Sequence, residues 1–413
     1  MTSPASGEPL SVTLVDTPDA LAALCERVRA AGRVALDTEF HTERSYTPHL
    51  MVVQLLLEDG VALVDALALS ESKLRPLVDA LVSTRVVGHA LSSDLRIFAD
   101  VYGELPSEVF DTQVAAAFAG YGLSISLLDL VRDLCGVTLR KSQTVSDWST
   151  RPFTPKQVEY LVDDVRYLFA LEDRLREVLR SRGRETWAAQ EMRALSDMST
   201  YRAEPRRLYA RVSGHARMNR RELGILSELA SLRDRYARER NIPLKYVLPD
   251  DVMVGLVQLR PKAVDDLTQL RRIDAGTRRN LGERILEAVR RGEAIPDEEL
   301  PPRAPRPLGP QRESLVSTLA VLIGAIAAES DLPTTLLLPR TALERIARDA
   351  PQSPEALADL LDLTSWRREL VVEPLWGMLT GESVLRVRDY GRGDPRTAIE
   401  PLDAASGAAS STR

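Results

Sequence analysis

Five side chains, scattered along the chain, have the types and local spacing to do chemistry as a group. In "GRVALDTEFHT", residues 32–42, the carboxylates Asp37 and Glu39 stand one residue apart at the end of an apolar run. Strand side chains alternate, so residues i and i+2 point to the same face. A buried strand that aims two negative charges at one place needs them neutralised, because unpaired buried carboxylates are costly and like charges resist joint ionisation. In "VVGHALSSDLRIF", Asp94 opens a helix directly after an apolar strand. In "VEYLVDDVRYLF", Tyr160 and Asp164 are four apart on a helix and share a face. Asp163 points about 100° away, and it exchanges with Asp164 if the helix register slips. Such a set could surround divalent cations. Hard oxygen ligands without a Cys or His cluster favour Mg²⁺ or Mn²⁺ over zinc. Two such ions roughly 3.5–4 Å apart are the usual arrangement for in-line attack on a phosphodiester.

The elements that must position these residues can be read from the pattern. "SVTLV" predicts a short strand, and "DTPDALAALCERVRAAG" a capped helix ending at Gly32. "RVALDTEF", "LMVVQLLLE" and "GVALVDA" predict neighbouring strands, with Asp59-Gly60 as the hairpin turn between the last two. "RVVGHA" predicts a strand followed by the helix "SSDLRIFADVYG", and "EVFDTQVAAAFAGYG" a strand running into a helix. "TPKQVEYLVDDVRYLFALEDRLREVLRSRG" predicts one long helix with Thr154 as N-cap and Pro155 at its first position. The result is a mixed sheet, antiparallel at its start, with helices on its faces. From about residue 213 the pattern is helices and short loops, without a good strand. The Pro-rich stretch 295–310 reads as a semi-rigid linker and the end of the chain as disordered. Residues 237–270 lie over residues 327–360 without a gap, matching Pro243 to Pro333, Pro249 to Pro339 and Pro261 to Pro351. That repeat predicts two related small helical domains.

Bulk properties set limits. The chain has 413 residues and a formal net charge of −6, which suits two or three soluble domains. Two cysteines, Cys25 and Cys135, exclude a disulfide framework and a cysteine zinc site. The polar start "MTSPASGEPL" is not a signal peptide, and no apolar run is read as approaching the roughly 20 residues of a membrane span, so the expectation is a cytoplasmic protein with no membrane role. Residues 1–200 carry 20 Lys+Arg against 29 Asp+Glu, residues 201–300 carry 21 against 16, and the remainder 13 against 15. An acidic first part joined to a basic middle part suggests two jobs in one chain.

"DTEF", "HALSSDL" and "YLVDDV" resemble the three exonuclease motifs of the DEDD superfamily, in its tyrosine-bearing branch. The span from "GELPSEVFDTQVAAAF" to "RKSQTVSDWSTRPFTPKQVEYLVDDVRYL" is similar to the bacterial ribonuclease D family, and "RDRYARERNIPLKYVLPDDVMVGLVQLRPK" resembles the HRDC module. The resemblance covers nearly all of residues 10–385. It implies an α/β ribonuclease-H-like exonuclease domain over 10–205, followed by two all-α HRDC-like helical domains. These are an HRDC domain at 213–295, a linker at 296–312 and a second HRDC-like domain at 313–388, before a disordered tail at 389–413. It implies Asp37, Glu39, Asp94 and Asp164 as ligands of two divalent metal ions. Tyr160 would position the attacking water, with Glu39 helping to orient it. The implied activity is metal-dependent 3′→5′ exoribonuclease action that releases nucleoside 5′-monophosphates from RNA 3′ ends, including transfer-RNA precursors. No obligate protein partner is implied. A DNA exonuclease and a nucleic-acid-binding protein with a dead site are the alternatives; the complete acid set argues against the latter.

Further residues carry weaker signals. Phe40 and Gln54 sit near the acid face and are candidates to touch bases, with packing as the plainer role. His89, at the head of the second motif, is a candidate nucleotide contact or a strand-end histidine satisfied by backbone. Trp148 reads as a core anchor. Lys141 and Arg151 flank the last motif and are candidate phosphate holders. Arg271, Arg272, Arg278, Arg279, Arg290 and Arg291 cluster in the first helical domain, where arginines suit a nucleic-acid backbone or a solvated face laced with acids.

Overall fold

The computed structural model describes residues 10–42, 45–139, 147–202, 204–363, 365–389 and 396–402. Its centre is a six-stranded mixed sheet in the order β1-β4-β3-β2-β5-β6. The strands are β1 (Val12–Val15), β2 (Arg33–His41), β3 (His49–Leu57), β4 (Gly60–Asp65), β5 (Arg85–Gly88) and β6 (Val109–Asp111). β2, β3 and β4 form an antiparallel meander, while β1 joins β4 and β5 joins β2 in parallel. Every residue of β4 and all but the first of β3 are buried, as expected of apolar runs covered on both faces. The hairpin between them turns on Glu58 and Asp59, and Gly60 already belongs to β4. Gly60 sits at φ 140°, where a Cβ would come within 2.1 Å of Ser11 Oγ. That close approach lets Val61 N–H donate to the Ser11 carbonyl, at 2.8 Å, and seats β1 at the edge.

The chain groups into two compact units that cut across the sequential domains expected from the motifs. The first comprises residues 1–110, 140–169 and 192–306; the second comprises residues 111–139, 170–191 and 307–413. The long helix expected after Thr154 is interrupted: one helix spans Pro155–Arg166 and the next Leu168–Ser181, with Tyr167 between them at φ −100° and ψ −1°. The start of the first is as expected, with Thr154 and Gln157 forming a reciprocal capping box and Pro155 in the first turn.

In the first unit, the helices Arg220–Arg240 and Ala275–Ala294 cross at two glycines. A Cβ on Gly292 would lie 2.4 Å from Ile225 Cα, and one on Gly224 would lie 3.0 Å from the Gly292 carbonyl. The start of the Pro-rich stretch is pinned to this pair, since Arg220 donates to the Asp297 and Leu300 carbonyls at 2.7 and 2.9 Å. In the second unit, Trp366 is fully buried, stacked on Trp187 at 5.5 Å and edge-on to Phe118 at 5.2 Å. Arg367 there holds Glu191 in a two-pronged pair of 2.6 and 2.7 Å. These contacts explain why helices from the exonuclease segment group with the C-terminal region.

The internal repeat appears element by element. Helices Arg220–Arg240, Leu244–Val247, Asp250–Leu259 and Ala275–Ala294 each begin 90 residues before Pro310–Ser330, Thr334–Leu337, Arg340–Asp349 and Ser365–Thr380. The left-handed helix ends repeat as well, at Asn241 and Asp331 and at Arg260 and Ala350. Two expectations are corrected. Ser383–Arg388 and Arg396–Pro401 pair as an antiparallel two-stranded sheet, so the chain beyond residue 213 is not strand-free and the expected disordered tail contains a strand. The helix Pro310–Ser330 is long and apolar enough to cross a bilayer by length and composition alone. Val316, Leu319, Leu322 and Ile326 on it are buried, and it stands 90 residues after its counterpart Arg220–Arg240.

Candidate active site

Asp37 and Glu39 leave the same face of β2, and the Pro155–Arg166 helix packs across β2, β3 and β4 to bring Asp164 to them. One oxygen from each of Asp37, Glu39 and Asp164 lies within 4.8 Å of the others. The three acids come from two elements more than a hundred residues apart in sequence, joined only by the fold. Directly beside Glu39 the β2–β3 register slips, Glu39 facing Val52 and Phe40 facing Leu50, so Met51 is the extra residue of a bulge. Its carbonyl accepts a hydrogen bond from Arg151 at 3.2 Å.

Asp94 is buried but does not belong to the three-acid group. Its Oδ1 accepts a hydrogen bond from the Thr38 hydroxyl, and its charge acts on both Asp37 and Glu39. Tyr160, one turn before Asp164, donates its hydroxyl to that carboxylate. Asp163 faces away, 3.9 Å from Arg166, which agrees with the expected helix register.

The electrostatics follow from crowding acids in a dry place. Burial, then the charges of Asp94, Asp164 and Glu39, push the Asp37 carboxyl well above the usual range, against a weaker pull from the Thr38 backbone N–H. Glu39 is pushed up to about 7 by burial and Asp94, opposed by a hydrogen bond from Trp148. Asp164 is pushed up to about 8 by burial, Glu39 and Asp163, opposed by Tyr160. The Tyr160 phenol is driven upward by burial and the same three acids. The Oδ2 atom of Asp164 is buried without a hydrogen-bond partner. An all-oxygen acid set, mutually repelling and with an orphaned buried oxygen, fits hard divalent cations, which would satisfy both defects at once.

Two supporting residues were not assigned to the site from sequence. Trp148, 6% exposed, is more than a core anchor: it donates to Glu39 and its ring lies 5.6 Å from that of Tyr160. The signal was its place in "SDWSTRPF", just ahead of the third motif. Thr38 lies between the two acids and holds Asp94. Arg151, considered for phosphate, is engaged internally: it pairs with buried Asp65 at 2.5 Å, donates to the Trp148 carbonyl at 2.6 Å and stacks on Phe153 at 4.0 Å. It thereby anchors the loop that carries Trp148.

The remaining candidates are dispersed. Phe40 is half-buried and packs against the hydrophobic core of the sheet, which is the packing role. His89 is half-buried between β5 and the Ser92–Ile97 helix that carries Asp94. Lys141 lies outside the described residues. Arg272 is tied to Asp251 at 2.7 Å and Arg278 to the Ile273 carbonyl at 2.7 Å, whereas Arg271 and Arg279 are exposed without an acid partner among the described residues. Arg290 and Arg291 pair with Glu287 and Glu228 at 2.8 and 2.9 Å.

The chain is similar to known proteins over most of its length. Residues 12–180 match the 3′-5′ exonuclease family, and residues 222–289 match the HRDC domain. Ribonuclease D of Granulibacter bethesdensis is 35% identical over 382 residues, covering 91% of this chain and 95% of that protein. Ribonuclease D of Acidiphilium cryptum is 37% identical over 374 residues, covering 89% and 92%. The crystal structure of Escherichia coli RNase D, an exoribonuclease involved in structured RNA processing, superimposes with a TM-score of 0.76 at 30% identity, covering 90% of this chain and 99% of that one.

Proposed function

The chain belongs to the ribonuclease D family, and from that premise we propose how its site works and what it acts on. The protein is a 3′→5′ exoribonuclease, a hydrolase of phosphodiester bonds. Asp37, Glu39 and Asp164 hold divalent cations, Mg²⁺ or Mn²⁺, with Asp94 completing the acid set from its place beside them. The observation that carries this is the approach of three partly buried carboxylates to within 4.8 Å. When bound, such ions stabilise charge on the attacking and leaving oxygens and make a bound water more acidic. The Tyr160 hydroxyl, on the same helix face as Asp164, positions the attacking water. Glu39, steadied by Trp148, orients that water from the other side, and burial of the cluster excludes competing solvent.

The products are nucleoside 5′-monophosphates from RNA 3′ ends, with transfer-RNA precursors as substrates, and the site of action is the cytoplasm. The HRDC domain at 222–289 recruits RNA. The region 313–388 is a second HRDC-like domain, supported by the 90-residue recurrence of its helices and left-handed caps. Phe40, His89 and Lys141 remain candidate nucleotide contacts, and Arg271 and Arg279 are the free cations best suited to phosphate. The test uses a 3′-labelled RNA and its DNA twin with Mg²⁺, Mn²⁺ or EDTA. Labelled 5′-monophosphate should leave the RNA with either metal and not with EDTA. Equal attack on DNA supports the DNA exonuclease alternative, and binding without cleavage supports a dead site.

A further inference from the structure

Gln54 occupies a position in β3 where an apolar residue would be expected. It is fully buried, its strand neighbours Val52, Val53, Leu55 and Leu56 are buried and apolar, and neither Oε1 nor Nε2 has a hydrogen-bond partner. Buried polar groups are almost always hydrogen-bonded, and an orphaned amide destabilises a fold. Gln54 stands directly opposite Asp37 in the β2–β3 register. Opposite residues of an antiparallel pair leave the same face with Cβ atoms about 4.5–5.5 Å apart. An amide there can reach a carboxylate across the pair. The second buried orphan of this face, Asp164 Oδ2, belongs to the same acid cluster. Two orphaned polar groups at one place mark a site whose hydrogen bonding is completed only when it is loaded.

We infer that Gln54 is a positioning residue of the cation site, its Nε2–H donating to the Asp37 carboxylate in the loaded protein and fixing that carboxylate in its ligating orientation. An amide NH₂ beside an acceptor-only carboxylate is chemically matched, and ligating carboxylates are themselves held by hydrogen bonds whose loss typically weakens metal affinity 10–100-fold. The inference rests on the reading of Asp37 as a cation ligand.

The test compares full-length wild type with Gln54→Met and Gln54→Leu, by calorimetric titration with Mn²⁺ and thermal melts in EDTA. Both variants fill the position with apolar atoms and remove the orphan. They should melt in EDTA at or above the wild-type temperature, while the Mn²⁺ dissociation constant rises about 10–100-fold. These opposite signs separate a positioning role from a packing role. Dissociation constants within two-fold of wild type in both variants overturn the inference, as does a lowered EDTA melting temperature with affinity retained. If wild type itself binds no Mn²⁺, the cation reading falls and the inference with it. If wild type binds and the variants bind equally, only the role of Gln54 is lost.

Discussion

Replacing Asp164 by asparagine should stabilise the metal-free protein while abolishing its chemistry. The Asp164 carboxyl is pushed from 3.8 to about 8 by burial and by Glu39 and Asp163. Its folded-state value lies above its unfolded one, so the native state keeps a proton that the unfolded state has released. Stability is therefore fully present below about pH 4 and is lost progressively as pH rises to about 8. At about 1.36 kcal/mol per unit, the ionised group weakens the fold by up to about 6 kcal/mol at pH 9. Asparagine removes that charge, keeps an acceptor for Tyr160, and leaves a buried amide whose orphaned donor costs about 1–3 kcal/mol. The net expectation in EDTA is equal or slightly lower stability than wild type at pH 5, and a gain of about 3–5 kcal/mol at pH 9, the difference of those two terms. Urea unfolding at both pH values measures it. With Mn²⁺ present the order should reverse, because cations neutralise the wild-type acids and the variant has lost a ligand. A variant less stable than wild type at pH 9 in EDTA would refute the picture of a strained, charge-crowded site. Retention of more than about a tenth of wild-type turnover, a loss of under ~1.4 kcal/mol, would refute the ligand assignment.

Other substitutions separate the supporting residues. Trp148→Phe keeps the ring beside Tyr160 and removes the donor to Glu39; with a charged-group hydrogen bond at about 1.5–3 kcal/mol, turnover on a short RNA should fall about 10–100-fold with circular dichroism unchanged. Arg151→Gln breaks the pair with buried Asp65 and frees the Met51 carbonyl, so stability should drop by about 3–5 kcal/mol; unchanged stability with weakened RNA binding would restore its phosphate role. Arg271→Gln with Arg279→Gln should make the slope of log affinity against log salt shallower by roughly 0.7–0.9 per lost contact. Arg272→Gln, already committed to Asp251, should leave that slope alone.

The acid cluster was legible because each half of it is a local statement. Alternation puts Asp37 and Glu39 on one face, helical spacing puts Tyr160 and Asp164 on another, and the sheet had only to bring the faces together. The strands were legible for a related reason: buried strands of a mixed sheet read as unbroken apolar runs. What holds the acids in place was harder to read. Trp148 looks like any buried tryptophan until its N–H is seen on Glu39, and Thr38 faces away from Asp37 and Glu39 by alternation yet holds Asp94, which comes from the helix after β5. The grouping into units was hidden by the assumption that domains are contiguous, which Phe118, Trp187 and Glu191 break by packing with Trp366 and Arg367. The C-terminal strands were hidden because no residue of either is fully buried, leaving little alternation to find.

The repeat shows which parts of a sequence carry a backbone and which carry a job. Pro243 and Pro333 each precede a short helix, Pro249 and Pro339 each precede a longer one, and the chain leaves its helices in the left-handed region at matching positions. Proline fixes φ and forbids a helical interior, so conserving its spacing preserves the path of the chain whatever the other side chains become. Those other side chains have diverged. The helix Arg220–Arg240 carries ten charged residues and its counterpart Pro310–Ser330 three. The positive excess of the chain lies in residues 201–300, while residues 301–413 carry 13 basic against 15 acidic side chains. Attraction for a polyanion depends on that excess and not on the helical path. The two helical regions therefore share a helical path and differ in charge, and on the proposed reading the first is the one to test for RNA binding.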